Sequence, residues 1–307
     1  MTHLRVGTRS SLLARTQTAL VMNEVARLSP GLSWSEHLIT SAGDLSEEPL
    51  SQLTTPGIFV SALRDELLHN RVDVIVHSMK DLPALPHPEI SLAAVPARED
   101  PRDTLICSVA NSLETLPRGS RVGTSSPRRE ASVRRIRPDL VLEPIRGNIT
   151  TRIEKVAQGD YDATILAKAG LIRAGLTSAI TQELALDQFL PAPRQGALAV
   201  ECRNGDSATK AFLASVDEEH ARVTALAEQA VLIGLSAGCH VAIGAHARWR
   251  DSQLEMHAEL AVGNTGEAVA VHQRVAVTSP LEDAHALGLS VADALLASPL
   301  SDKALTQ

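Results

Sequence analysis

The chain has 307 residues, 44% apolar and 21% charged, with a net charge of −7. That is ordinary for a soluble globular protein and long enough for two or three domains, each burying its own core. Six aromatic residues and an acidic total exclude a protein built to stack or wrap nucleic acid.

Three cysteines (Cys107, Cys202 and Cys239) without CxxC spacing give neither a disulfide framework nor a zinc pattern, so no metal is expected. The N-terminal stretch lacks a signal-peptide core and no apolar run reaches membrane length. A cytoplasmic, reduced protein is expected, with no membrane partner.

In chain order, Leu4 to Gly7 reads as a strand, and Thr8-Arg9-Ser10-Ser11 as the turn into a helix that runs to about Leu28 and stops at Pro30-Gly31. A second strand is expected from Trp34 to Thr40. Residues 41–57 are polar and broken by Gly43, Pro49, Pro56 and Gly57, and the preferred reading of so long a loop is a mobile lid. A helix from Ile58 to Asn70 precedes the apolar strand Val72 to Val76, and His77-Ser78-Met79-Lys80-Asp81 follows. Residues just past the C-terminal ends of strands in open α/β sheets face the ligand crevice, which places Lys80 and Asp81 for chemistry. A pair on a surface turn is the plain alternative.

Strands at 90–95 and 104–109 flank Glu99-Asp100-Pro101-Arg102-Asp103, which reads as a hinge-like crossing. A strand over 120–124, a helix over 126–137, a strand over 139–145, a helix over 150–158, a strand over 163–167 and a helical turn over 170–174 make a second unit. The alternation implies right-handed βαβ units on a parallel sheet. Ala197 to Cys202 reads as a strand crossing back to the first unit, giving two α/β lobes with a cleft between them. After Asp206 the pattern changes to a long helix over 217–235, a bend at residues 236–240, alternating strands over 241–247, 254–262 and 268–278, and a last helix over 281–297. This is an α+β domain with an antiparallel sheet. The expected domains are 1–98 with about 197–215, then 103–192, then 217–307. Cys239 lies on the bend, where a small buried residue and an exposed reactive thiol are both open readings.

The segment from Arg118 to Arg152 holds nine arginines against three acids, a charge of +6 in a chain of −7. An acidic protein that gathers arginine in one place is holding something negative, and the planar guanidinium matches carboxylate or phosphate oxygens in pairs. Arg134, Arg135 and Arg137 read as a solvated outer helix face. Arg128 and Arg129 follow Gly123-Thr124-Ser125-Ser126-Pro127, where Ser125 or Ser126 caps a helix and Pro127 suits its first position. Such an end binds anions. Arg146-Gly147-Asn148 and Arg152 repeat the arrangement, with Thr150 or Thr151 opening the next helix.

The stretches VGTRSS (6–11), VHSMKDLP (76–83), EDPRD (99–103), VGTSSPRR (122–129), IRGNITTR (145–152), YDATILAKAGLIRAGL (161–176), QGALAVECR (195–203) and AGCHVAIG (237–244) occur in one order over nearly the whole chain. In these the chain resembles the porphobilinogen deaminase (hydroxymethylbilane synthase) family. The resemblance implies a transferase of tetrapyrrole biosynthesis. It joins four porphobilinogen molecules head-to-tail onto an enzyme-bound dipyrromethane, releases ammonia, and hydrolyses off the linear tetrapyrrole. It implies type II periplasmic-binding-protein-like lobes and a monomer.

Residue by residue, Asp81 matches the essential carboxylate, and Cys239 the thioether-forming cysteine. Ser78, Lys80, Thr124, Ser126, Arg128, Arg129 and Arg152 match cofactor-holding groups. Arg9, Ser11, Phe59, Arg146, Arg173 and Gln195 match substrate-holding ones. Each pyrrole brings an acetate and a propionate, which a dense arginine set would neutralise. The chain departs from the family in the lid. Thr54-Thr55-Pro56-Gly57-Ile58-Phe59 stands for G-x-K-G-x-F and Ser41-Ala42-Gly43-Asp44 for T-R-G-D, so a lid that gates by sterics more than by charge is expected. A non-enzymatic anion-binding module, with no need of Asp81 or Cys239, is the competing reading.

Overall fold

The computed structural model describes residues 2–40, 58–236 and 241–306, with Ile58 and Phe59 described as backbone alone. The expected lid and Cys239 therefore lie outside the described residues. The chain groups into two compact units, one of residues 1–99 and 196–222, the other of 100–195 and 223–307.

In the first unit, β1 (Thr2–Thr8) leads into α1 (Leu12–Leu28), followed by β2 (Leu32–Leu38), α2 (Ile58–Leu68), β3 (Val74–Ser78) and β4 (Ile90–Ala94). The chain returns with β10 (Leu198–Arg203) and α6 (Ser207–Leu213). The sheet order is β2-β1-β3-β10-β4. β1 runs parallel to β2 and β3, whereas β10 is antiparallel to β3 and β4. The expected parallel pairing holds among β1, β2 and β3 but not at β10, which enters from a distant part of the chain rather than through a βαβ crossover, so no handed connection fixes its direction.

The middle strands are buried on both faces, hence the nearly unbroken apolar run of β3. α1 turns Gln17, Thr18, Val21, Met22 and Val25 inward, and the last three join Leu4, Val6, Val74, Val76 and Val200 in one core. β3 extends two residues beyond the expected strand because β10 pairs with it as far as Ser78. His77 and Ser78 thus lie on the strand itself.

The second unit repeats the plan. Its elements are β5 (Asp103–Cys107), β6 (Arg121–Gly123), α3 (Pro127–Ile136), β7 (Val141–Glu143), α4 (Ile149–Ala157), β8 (Ala163–Ala167), α5 (Lys168–Arg173) and β9 (Gln182–Glu183). The sheet order is β7-β6-β8-β5-β9, again with one antiparallel insertion, β5. In both sheets the order 2-1-3-n-4 with strand n reversed is that of a type II lobe.

Helix α7 (Glu219–Gly234) precedes a three-stranded antiparallel meander of β11 (Ala242–Arg250), β12 (Gln253–Ala261) and β13 (Ala268–Ala276), followed by α8 (Pro280–Leu296) and the short α9 (Ser301–Leu305). The inner face of the meander (Leu254, Met256, Ala258 and Leu260) packs on Ala284, Leu287, Val291 and Leu295 of α8. Its other face meets α3, where Ala131, Ala242 and Ala261 are buried together.

Candidate functional site

In the first unit the chemistry-bearing residues gather at the C-terminal ends of β1 and β3. Met79 is fully buried and donates its amide to the Ala197 carbonyl at 3.0 Å. That anchors a single 3₁₀ turn, Met79–Asp81, on which Lys80 is half-buried and Asp81 exposed. Ser11 caps α1, accepting from the Ala14 amide. Ser78 Oγ exchanges hydrogen bonds with the amide of buried Gln17, at 3.1 and 3.2 Å. Arg9, Ser11, Gln17, His77, Ser78 and Asp81 together line a cavity of ≈ 80 Å³, closed on one side by Val60, Leu63 and Val76. At the end of β1, Gly7 leaves no room for a side chain: a Cβ there would lie 2.8 Å from Ile39 and 3.0 Å from Ile75.

Behind this cavity, Arg64 grips Glu201 with two hydrogen bonds of 3.0 and 2.6 Å. Burial raises the Glu201 carboxyl, but His77 and Arg64 outweigh it and bring it from 4.5 to about 2. Sequence reasoning assigned nothing to Gln17, Arg64 or Glu201. The available signal was one acid inside the apolar strand Leu198–Arg203, which demands a buried partner.

In the second unit, Ser126 caps α3 by accepting from Arg129 N, with Pro127 in the first turn, while Thr124 Oγ1 accepts from Ser126 N. Arg128 and Arg129 turn inward from that turn. Their guanidinium groups take the two oxygens of Asp103, each at 2.7 Å, and Asp103 is completely buried. Burial favours the neutral acid, but the charges of Arg128 and Arg129 overrule it and hold Asp103 far below the usual carboxylate range. Arg128 also donates to the Leu190 carbonyl at 2.6 Å, and Gln195 donates to Asp103 and to the Pro101 carbonyl at 3.0 and 2.8 Å. Two cations share one anion, so the cluster stays positive.

Helix α4 is capped by Asn148, not by Thr150 or Thr151, with the Thr151 amide donating at 3.0 Å. Thr150 and Thr151 instead donate their hydroxyls to the same Asn148 oxygen. Half-buried Arg152 donates to the Gly147 carbonyl, and burial, with Arg129 adding to it, lowers its pKa to about 10. Arg146 and Arg173 are half-buried, at the bend before α4 and the end of α5. Arg134, Arg135 and Arg137 pair with Glu130, Glu259 and Asp139, and Arg137 also holds the carbonyls of Leu113, Glu114 and Leu116. They are structural. The side chain of Phe59 lies outside the described residues.

One further cluster was not anticipated. On the meander, Glu255, His257 and His272 bring ligand atoms within 4.8 Å of one another. The Glu255 carboxylate is already engaged by Arg248 at 2.6 Å and Arg274 at 3.1 Å, which makes it the hub of an ion-pair network.

An exposed carboxylate beside a small cavity in one α/β unit, with a surplus of guanidinium at helix starts in the other, suits an enzyme class that works on polyanionic substrates. The family model described as "Porphobilinogen deaminase, dipyromethane cofactor binding domain" matches residues 4–211, and that of the "Porphobilinogen deaminase, C-terminal domain" matches 222–297. A porphobilinogen deaminase of Thermobifida fusca is 44% identical over 95% of this chain and 92% of its own length. One from Roseiflexus sp. is 40% identical over 95% of each. Porphobilinogen deaminase 1 of Streptomyces coelicolor is 42% identical over 98% and 96%. The chain belongs to the porphobilinogen deaminase family. Among solved structures, a putative methionine-binding lipoprotein of Bacillus subtilis is similar at 12% identity and a TM-score of 0.45, covering 70% of this chain and 90% of that one.

Proposed function

We propose that this chain is a hydroxymethylbilane synthase, joining four porphobilinogen molecules head-to-tail with release of ammonia and then freeing the linear tetrapyrrole by hydrolysis. What carries the reading is Asp81, held by a buried Met79 anchor at the mouth of a cavity that also presents Arg9, Ser11 and Ser78. The cavity offers several times the roughly 10–15 Å³ that one water needs, room suited to a five-membered ring.

Asp81 stabilises the positive charge that develops on the pyrrole as ammonia leaves, where a fixed carboxylate gains most. Lys80, one residue before it, takes a ring carboxylate. Arg9 and Ser11 hold the substrate's acid groups at the start of α1. In the second unit Arg129, Arg146, Arg152 and Arg173 neutralise the lengthening row of acetates and propionates. Arg128 and Gln195 commit their donors to internal acceptors, and serve by fixing Asp103 and through it Arg129.

The dipyrromethane of this family supplies, when bound, the pyrrole carbon onto which the chain is built. The residues present fit it: a half-buried guanidinium at Arg152, with its charge disfavoured by burial and by Arg129, is relieved by a carboxylate. We place its attachment at Cys239 and its carboxylates at Ser78, Lys80, Thr124, Ser126, Arg129 and Arg152. We further propose a cytoplasmic monomer of three domains, with Phe59 packing on a pyrrole. Among the described residues no helix is long and apolar enough to cross a membrane.

Replacing Asp81 by alanine is expected to leave the bound cofactor in place while cutting turnover by at least about a hundredfold. Bilane formation at the unchanged rate by that variant would remove Asp81 from the mechanism.

A further inference from the structure

The reading above leaves unused a charged constellation behind the Asp81 cavity. The ring of His77 lines that cavity, yet its side chain is only 5% exposed. Its Nε2 is shut off from solvent without a hydrogen-bond partner, a costly state for a buried polar atom. Glu201 Oε2 stands 3.5 Å away, and roughly half an ångström of approach would complete a hydrogen bond. Glu201 is fixed in turn by the Arg64 fork. Its carboxyl, pushed up by burial but drawn down further by His77 and Arg64 to about 2, is ionised throughout the neutral range. An ionised carboxylate only accepts. The imidazole nitrogen turned to it therefore carries the hydrogen, and in a neutral ring Nδ1 is then the acceptor. Carboxylate, imidazole and an open acceptor atom form the arrangement by which acids orient catalytic histidines.

We propose that His77 is a second proton acceptor for the condensation, held in its Nε2–H tautomer by Glu201, with Arg64 as the positioning residue for that carboxylate. This rests on the synthase reading given above. Consider a round of elongation onto a ring that substrate itself supplied. Once ammonia has left, the free α-carbon of that ring bonds to the incoming methylene carbon. The α-carbon then bears both the new bond and its original hydrogen. The C–H bond breaks, its electron pair restores the aromatic ring, and the proton passes to Nδ1 of His77. Glu201 stabilises the imidazolium, which gives the proton to the released ammonia, so ammonium leaves and atoms and charge balance. Of the charged groups nearby, Glu201 faces His77, Arg64 pairs with Glu201, and Arg9 and Asp81 line the same cavity as His77. Asp81 manages the cation and His77 the ring proton.

The test uses the holoenzyme, with porphobilinogen as substrate. His77→Gln and His77→Ala are expected to lower kcat about a hundredfold with KM within about twofold. Added imidazole should restore at least about tenfold in His77→Ala by entering the vacated space, and nothing in His77→Gln. A purely structural histidine would shift the unfolding midpoint without this split or rescue, and that result overturns the proposal. A second readout needs no variant of His77 and no turnover. The ring ¹⁵N shifts of His77 should show the Nε2–H tautomer, lost in Glu201→Gln, and an Nδ1–H tautomer in the wild-type protein contradicts the proposal outright. Failure of the wild-type chain to consume porphobilinogen would count against the synthase reading instead.

Discussion

Arg152 is a half-buried cation that donates to the Gly147 carbonyl, and burial together with Arg129 lowers its pKa to about 10. It is still charged at neutral pH, and folding carries the penalty at every pH below about 10. Arg152→Gln in a Cys239→Ser background, which takes the cofactor away, should therefore leave stability unchanged or raise it by up to about 1 kcal/mol in urea unfolding. The same change with Cys239 intact should impair cofactor assembly on the chain. A loss above about 2 kcal/mol in the cofactor-free background would mean that Arg152 is structural.

Glu201 has the opposite sign. Its folded pKa of about 2 lies under the ordinary 4.5, so its stabilisation is complete above about 4.5 and disappears as pH falls toward 2. The difference is worth about 3 kcal/mol. Glu201→Gln also leaves Arg64 buried without its anion, at a cost of about 3–5 kcal/mol. The variant should be much less stable than the parent at pH 7, with the gap closing below pH 4 in denaturant titrations. A gap constant from pH 7 to 3 would contradict this assignment.

At the scale of the element, α4 shows how a short helix places a functional group. Asn148 caps it, and Arg152 N closes its first turn onto Asn148 O at 3.1 Å, so the cap fixes the guanidinium one turn further on. Gly147 takes φ +109°, a left-handed conformation, and a Cβ there would meet Thr151 at 2.6 Å. Asn148→Ala should cost about 1 kcal/mol in chemical unfolding, with no change in the denaturant slope. No measurable change would show that the threonine hydroxyls replace the cap.

The same segment marks the reach of sequence reasoning. Serine, proline and arginine in order announced the start of α3, because capping is local chemistry carried by adjacent residues. The choice between Asn148 and the following threonines was not readable, since all three suit a cap and only the turn geometry at Gly147 decides. β3 came out shifted two residues toward Ser78 for a different reason. Its partner β10 is remote in the chain, and a ladder from a distant strand leaves no local trace.

For the whole molecule, alternating apolar strands and amphipathic helices revealed two α/β units and a final antiparallel sheet, because each pattern reflects which faces are buried. The direction of β5 and β10 was hidden, as an apolar run reads alike in a parallel or an antiparallel ladder. The site divides in the same way. Asp81, Lys80 and the arginines stood out by type and position. Gln17, Arg64, Glu201 and Asp103 did not, because their importance is to be buried beside a partner from elsewhere in the chain.

The central claim concerns the chain as a covalent holder of its own growing product. Intact mass spectrometry of freshly purified protein addresses it most directly. The account predicts a mass above that of the 307-residue sequence by two linked pyrroles, and the bare sequence mass for Cys239→Ser. An unmodified mass in wild-type protein that consumes porphobilinogen, or the same excess on the Cys239→Ser variant, would contradict it.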